Sequence, residues 1–287
     1  MSARLSEAEN SVIGALGGLI EVTIMQPMNY WKNATQQGIP LSMKPATLYR
    51  GYFANAANMA ACTCFQFAVN GFMKKLLAED GDASAPLSPQ RQLVAGFISG
   101  AASASLCSPL ELLMIQQQRK GGAIPSHVRT LFNGGIRSVY HGFSMTAMRE
   151  GIYSAGYLGI APIVRERIMA ARPEMNEDVA RVPAAIIGGM FCCYMSHPFD
   201  TVKTCMQGDI EGVKFGNGRT TLNVLWSDAG GSARLGNALS TLYRGAMWRL
   251  ARQICAVFIL DKARETLSPL VFPSKFEESG GGAAGGF

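Results

Sequence analysis

Charge is scarce in this chain: only 16% of its 287 residues are Asp, Glu, Lys or Arg, against 48% hydrophobic residues. That balance leaves little to coat a soluble surface. Basic runs are also missing. None reaches five residues, which weighs against a nucleic-acid partner despite a formal charge of +6. There is no P-loop, no HExxH, no serine elbow and no pair of carboxylates in a catalytic setting, so no enzyme is expected and no cofactor is implied. The three histidines, His127, His141 and His197, stand in three separate contexts and read as structural or surface residues. The seven cysteines lack metal-ligand spacing. Cys62, Cys64, Cys107, Cys192 and Cys193 lie inside apolar stretches and read as small apolar fillers in a reducing compartment. The first ten residues, Met1 to Asn10, carry Glu7 and Glu9 and have no apolar core. They read as neither a signal peptide nor an ordinary transit peptide, so targeting information is expected to be internal.

What the chain does have is glycine, 32 residues, and methionine, 15 residues. Both suit close helix contacts and adaptable apolar packing. Mean hydropathy is only +0.13. Helices of this composition in lipid must surround something polar, such as a water-filled cavity. The net positive charge also suits an anionic membrane surface.

Internal repetition decides the fold. Pro27, Pro109 and Pro198 act as rulers: nine residues before them lie Gly18, Gly100 and Gly189, and nine after them lie Gln36, Gln118 and Gln207. Farther on come Tyr49-Arg50-Gly51, Tyr140-His141-Gly142 and Tyr243-Arg244-Gly245. Each proline sits in a long helical pattern, and each Tyr-x-Gly opens another apolar stretch. Six spans are predicted, near 9–37, 52–76, 89–119, 143–168, 178–208 and 246–268, in three units covering 1–80, 81–172 and 173–287. Residues 51–73, 92–110 and 182–199 contain no formal charge, and each run is long enough to cross about 30 Å of hydrocarbon. The other spans hold Glu21, Arg149 with Glu150, and Arg249 with Arg252. Ionisable groups at such depth are costly unless they face water or a partner.

A soluble helical bundle with its charges outside is the bland alternative, and it leaves the repeat unexplained. A mid-helix proline removes a backbone hydrogen bond and bends the axis. Three equivalent prolines would bend three helices at one depth and close one end of a barrel. Gly14 and Gly96 join Gly18 and Gly100 as sites of close approach. The first loop, 38–48, is short and holds Pro40 and Pro45; the third, 209–241, is long and glycine-rich, and the tail from Glu278 to Phe287 reads as mobile.

A proline, an acid two residues on, a base three further and a closing glutamine resemble the mitochondrial carrier family. The third unit matches best, as Pro198-Phe199-Asp200-Thr201-Val202-Lys203 with Gln207, and the Tyr-x-Gly sites match the family's second motif. The resemblance covers nearly the whole chain. It implies an all-α membrane protein with six transmembrane helices in a three-fold barrel, short matrix-side helices, a central substrate site, and termini toward the intermembrane space of the mitochondrial inner membrane. It also implies two gates. On the matrix side, acids and bases of the odd helices pair around a ring. Here Asp200 with Lys32 and Glu111 with Lys203 are available, while Asn29 and Met114 occupy the third acid and base positions, which face each other in the family's arrangement. Losing both members avoids the roughly 3–5 kcal/mol of a stranded charge. The cytoplasmic gate is acid-poor. Lys74 and Arg165 follow Gly71 and Pro162 in place of acids, and on the last helix, read as shortened, Asp261 with Arg264 comes a turn early, leaving Glu265 and Ser268 as the in-register choice.

Seven residues after each motif glycine stand Asn58, Arg149 and Arg252, which three-fold equivalence puts at one height. With Glu150, Arg249 and Gln66, and Glu21 given less weight, they form the candidate substrate site. Guanidinium binds carboxylate bidentately, and Glu150 can receive an ammonium group or balance Arg149. The expected function is antiport of a small carboxylate-bearing or zwitterionic, amino-acid-like metabolite by alternating access. The rival is a carrier-fold subunit that no longer transports and belongs to a respiratory-chain complex. Lipid is the other expected partner: the amides at Gly51, Gly142 and Gly245, opening the even helices, suit cardiolipin phosphates.

Overall fold

The computed structural model describes residues 7–78, 87–229 and 235–273. The tail from Glu278 to Phe287, residues 1–6 of the N-terminal stretch, and Gly230 and Gly231 of the third loop lie outside them. Among the described residues every regular element is helical. The helices are α1 (Glu7–Gln37), α2 (Pro45–Leu48), α3 (Tyr52–Leu77), α4 (Pro89–Lys120), α5 (Ile124–Asn133), α6 (Gly135–Val139), α7 (Phe143–Ala155), α8 (Ala161–Ala171), α9 (Glu177–Gly208), α10 (Gly218–Asp228), α11 (Leu235–Leu242) and α12 (Ala246–Val271). Six long helical rods result, because α7 and α8 are joined through a π-helical turn, Gly156–Ile160. Each proline-bearing rod is followed by one or two short helices and then by a rod that starts at a glycine.

The rods form a ring. Helix α1 packs on α3, α3 on α4, α4 on α7, α7 and α8 on α9, α9 on α12, and α12 back on α1. Its burial pattern is inverted relative to a soluble protein. Lys203, His197, Gln26, Gln36, Gln116, Gln207 and Glu21 rank among the largest fully buried side chains, while Leu19, Ile24, Phe53, Phe67, Phe191 and Phe258 are exposed. Polar groups inside and large apolar ones outside are what a bilayer demands. Among the described residues, only α4 and residues Val179–Gly208 of α9 are apolar enough, by composition alone, to be recognised as membrane-crossing helices. In α1, buried polar residues such as Glu21, Gln26, Lys32 and Gln36 lower the mean hydropathy without changing what lipid meets.

Two features of the repeat are mechanically linked. A proline cannot donate to the carbonyl four residues before it, so Pro27 and Pro109 leave the Thr23 and Ser105 carbonyls open. Tyr49 Oη donates to Thr23 O at 3.0 Å, and Tyr140 Oη to Ser105 O at 3.2 Å. In the third unit the equivalent rings, Tyr194 and Tyr243, stack at 4.6 Å. The tyrosine of each Tyr-x-Gly thus ties the start of one rod to the proline turn of the rod before it. Tyr140→Phe is therefore expected to destabilise the fold by about 1 kcal/mol by removing one hydrogen bond, read as a lower thermal midpoint in detergent. No change in the midpoint would show that the open carbonyl needs no partner.

The glycines of these motifs sit at positive φ, 75°, 84° and 78°, and open α3, α7 and α12. A side chain there would be strained, and it would also press on a neighbouring rod. At Gly51 a Cβ would lie 2.8 Å from Met114 O, and at Gly245, 3.0 Å from Lys32 O. Gly100 is tighter still, with a Cβ 2.2 Å from Glu150 O.

Two expectations need correction. The last rod is not short: α12 has 26 residues, as many as α3. It runs alongside α1 where Gly17 makes room for Leu260 and Ala263, and Lys262 pairs with Glu265 one turn on at 2.8 Å. Cysteine packing also differs. Cys62 of α3 and Cys107 of α4 are joined as a disulfide with Cα atoms 5.9 Å apart, because the close α3 to α4 contact puts the two thiols face to face; Cys64, Cys192, Cys193, Cys205 and Cys255 are free. The π turn was not anticipated. Pro162 cannot donate, and the amide of Ala161 reaches back five residues to Gly156 O.

Past α9, Asp209 accepts from the amides of Lys214 and Phe215, both at 2.8 Å. Partial burial opposes its charge, but these donors outweigh burial and hold the carboxyl below its usual range.

Candidate functional site

At the proline end of the ring, α1, α4 and α9 are tied by charge. Lys32 Nζ lies 2.8 Å from Asp200 Oδ2, joining α1 to α9. Lys203 Nζ lies 3.1 Å from Glu111 Oε2, joining α9 to α4, and 3.3 Å from Asp200 on its own helix. The third side of the triangle is uncharged: Asn29 Nδ2 donates to Met114 Sδ at 3.2 Å, joining α4 to α1. The glutamines brace the same level. Gln36 donates to Asp200 Oδ2 at 2.8 Å, Gln118 accepts from Asn33 at 2.7 Å, and Gln207 donates to the Ser108 carbonyl at 3.3 Å. Lys203 and Asp200 are each 1% exposed. Held this dry, a charge that lost its partner would be strongly destabilising.

One level toward the middle of the ring, Arg149 of α7 reaches this triangle. Its guanidinium lies 2.7 Å from Glu111, contacts Glu150 beside it, and comes within 3.6 Å of Asp200. Gln66 of α3 donates to Glu150 at 3.2 Å and to Ser103 at 3.0 Å. Across the ring, Arg252 of α12 pairs with Glu21 of α1 at 2.9 Å. Arg249 donates to the Cys193 carbonyl at 3.3 Å and to Ser196 Oγ at 2.9 Å, with Tyr153's ring 6.0 Å away. Asn58 is half-buried on α3, one turn before Cys62. Arg149, Glu150 and Gln66 thus form one polar cluster with the charge triangle, while Arg252 and Arg249 tie α12 to α1 and α9.

Residues 85–171 match the family described as mitochondrial carrier protein. The chain is 26% identical over 218 residues to a probable mitochondrial 2-oxodicarboxylate carrier of Schizosaccharomyces pombe, covering 68% of this chain and 72% of the relative. It is 24% identical over 261 residues to a mitochondrial glycine transporter of Saccharomyces cerevisiae, covering 81% and 84%. A mitochondrial arginine transporter of Arabidopsis thaliana is 30% identical over 181 residues, covering 59% and 60%. The chain is thus similar to mitochondrial carriers over most of its length. Its all-helical fold of six long rods agrees with the six transmembrane helices of such carriers, which are inner-membrane transporters.

At the other end of the ring, the residues expected at a second gate are spread over α3, α8 and α12. Asp261 and Arg264 lie exposed on α12, and Lys74 and Arg165 are half-buried on α3 and α8. Neither Asp261 nor Lys74 has an ion pair among the described residues. Glu265 pairs along its own helix with Lys262, and Ser268 donates to the Arg264 carbonyl at 2.6 Å.

Two features of the site escaped sequence reasoning. Glu21 was visible as a charge in an apolar span, but its pairing with Arg252, 231 positions away, depends on α12 closing the ring against α1. Arg149 was placed by its offset at the chamber wall. Its reach to Glu111 and Asp200 depends on a side-chain direction that no spacing reveals. His197 takes a structural place, its Nε2 lying 2.9 Å from the Arg244 carbonyl.

Gly142 opens α7 beside a groove of about 540 Å³ lined by Ser105, Ile136, Arg137, Tyr140 and Phe143. The groove is mostly apolar, with one guanidinium at its edge.

Proposed function

We propose that this carrier exchanges a small carboxylate-bearing or zwitterionic metabolite across the inner membrane by alternating access, with the charge triangle as the matrix-side gate. The reading is carried by the position of Arg149, which contacts Glu150 at the chamber wall and Glu111 and Asp200 in the triangle. A solute carboxylate that draws Arg149 away weakens its hold on both gate acids, and an ammonium group on Glu150 does the same from the other partner. Binding is thereby coupled to opening, since a ligand shifts a conformational equilibrium only by preferring one state. The relatives named for 2-oxodicarboxylate, glycine and arginine all move small charged or zwitterionic solutes, which agrees with this class. The three units, 1–80, 81–172 and 173–287, are the elements that rock. The groove beside Gly142, and the glycine-opened starts of α3 and α12, suit an anionic membrane lipid such as cardiolipin.

Uptake by proteoliposomes tests the proposal. Arg149→Gln is expected to lower exchange of carboxylate solutes by at least about tenfold, the equivalent of 1.4 kcal/mol. Undiminished exchange would remove Arg149 from the mechanism. The rival reading, a non-transporting subunit of a respiratory complex, draws on the uncharged Asn29–Met114 side and on Asp261 and Lys74, which have no ion pair among the described residues. Comigration with such a complex in native gels, together with no uptake, would establish it.

A further inference from the structure

Two sulfur-bearing residues at the heart of the ring have no part in the exchange of charge between solute and gate. Cys62 stands near the middle of α3 and Cys107 two residues before Pro109 in α4, joined as a disulfide with Cα atoms 5.9 Å apart, an ordinary span for such a bond. The link is in register with its surroundings. One turn along α3 from Cys62, Gln66 donates at 3.0 Å to Ser103, one turn back along α4 from Cys107, so the two rods run antiparallel and match position by position. It also borders the polar cluster. Asn58 and Gln66 flank Cys62 by one turn on the same face of α3, and Cys107 precedes the gate acid Glu111 by one turn of α4. Cys64, two residues on and therefore on the other side of α3, is exposed and free. Both oxidation states of the pair are accommodated. Asn58 Oδ1 lies 3.2 Å from Cys62 Sγ and Ser103 Oγ 3.8 Å from Cys107 Sγ, so each thiol released by reduction has an acceptor on its own helix.

We propose that Cys62 and Cys107 are a redox-modified site that locks this protein: as a disulfide they hold α3 against α4 and stop exchange, and as thiols they release it. This rests on the transport reading, because the bond joins the unit 1–80 to the unit 81–172, two of the elements that rock. A covalent tie at mid-rod, level with the proline bend, opposes any sliding of one unit past the other. The co-reactant is a low-molecular-weight disulfide of the glutathione class. Cys62 is 7% exposed and Cys107 0%, so the Cys62 thiolate attacks first. It bonds to one sulfur of the small disulfide, whose S–S bond breaks and whose other half leaves as a thiolate. The Cys107 thiolate then attacks the Cys62 sulfur of this mixed disulfide, forming the Cys62–Cys107 bond and expelling the second small thiolate. Two cysteine thiols are oxidised, one small disulfide is reduced to two thiols, and the two cysteine protons pass to the leaving thiolates. Excess small thiol runs the same steps backward.

The test treats the full-length protein with oxidised glutathione or with dithiothreitol and reads three quantities. Alkylation under denaturing conditions followed by mass measurement counts the thiols, thermal unfolding in detergent reads stability, and counterflow of 2-oxoglutarate, glycine and arginine in proteoliposomes reads exchange. Of the seven cysteines, the five that are free in the structure are expected to be alkylated after oxidised glutathione, and all seven after dithiothreitol. Reduction opens a closed loop and is expected to lower the thermal midpoint by at least about 4 °C. Exchange is expected to rise at least about tenfold on reduction and to fall again on reoxidation. Cys62→Ser and Cys107→Ser are each expected to exchange like the reduced wild type under both treatments, whereas Cys64→Ser stays redox-sensitive. Equal exchange by oxidised and reduced wild type, all seven thiols alkylated after oxidised glutathione, or redox sensitivity that survives in Cys62→Ser would overturn the lock and leave transport standing. A reduced wild type that exchanges none of the three solutes, while its thiol count and midpoint still shift with treatment, overturns the transport reading and the lock with it.

Discussion

Asparagine in place of Asp200 will destabilise the carrier by about 3–5 kcal/mol. The substitution changes almost no volume, so the effect is electrostatic. Asp200 is 1% exposed, takes Lys32 and Gln36 at 2.8 Å each, and lies 3.3 Å from Lys203. A neutral amide leaves Lys32 buried without a carboxylate, and it turns one acceptor into a donor that faces the donors already crowding it. Thermal unfolding of the purified protein in detergent reads the loss directly. Adding Lys32→Met should recover a large part of it, because removing both members leaves no stranded charge. A single variant that melts like the wild type would mean that Lys32 and Asp200 do not hold α1 against α9.

The missing third bridge gives the second large effect, with the opposite logic. Asn29→Asp alone places a carboxylate against Met114 Sδ, which donates nothing, and should destabilise the fold by about 3–5 kcal/mol. Asn29→Asp with Met114→Lys should return to within about 1 kcal/mol of the wild type, since the pair would then complete the ring. The double-mutant cycle isolates this coupling. The completed ring should also slow exchange, because each cycle would have to break three bridges instead of two. Additive losses in the cycle would show that the two positions are not neighbours.

Much of this architecture is legible in the sequence because three copies correct one another. The offsets from Pro27, Pro109 and Pro198 place the six rods to within a few residues. They also bring Asn29 into correspondence with Asp200 and Met114 with Lys203, so a pair 85 residues apart could be read as facing before any coordinates. What the offsets cannot carry is anything that breaks the symmetry. Among the described residues the π turn occurs in the fourth rod alone, where Pro162 has no counterpart at the same place in the others. Glu21 lacks an equivalent acid in the other units, so its partner emerges only when α12 closes on α1. The tyrosine of each Tyr-x-Gly could be seen to repeat, but not that Tyr49 and Tyr140 satisfy carbonyls opened by the prolines. That link needs the actual crossing of neighbouring rods. The cysteines failed for a related reason, since composition describes a compartment and not which two thiols meet.

The central claim is that α1, α4 and α9 are held together by charges placed to release. At the outer edge of this triangle, Lys120 beyond the end of α4's buried face and Glu211 beyond α9 are exposed and 3.9 Å apart. Spin labels at Lys120→Cys and Glu211→Cys, with Cys64 and Cys255 changed to serine, report the separation of these rod ends in proteoliposomes. During exchange the distance distribution should gain a second, longer population that is absent without solute. One short distance that persists while the same labelled protein is exchanging solute would contradict the account.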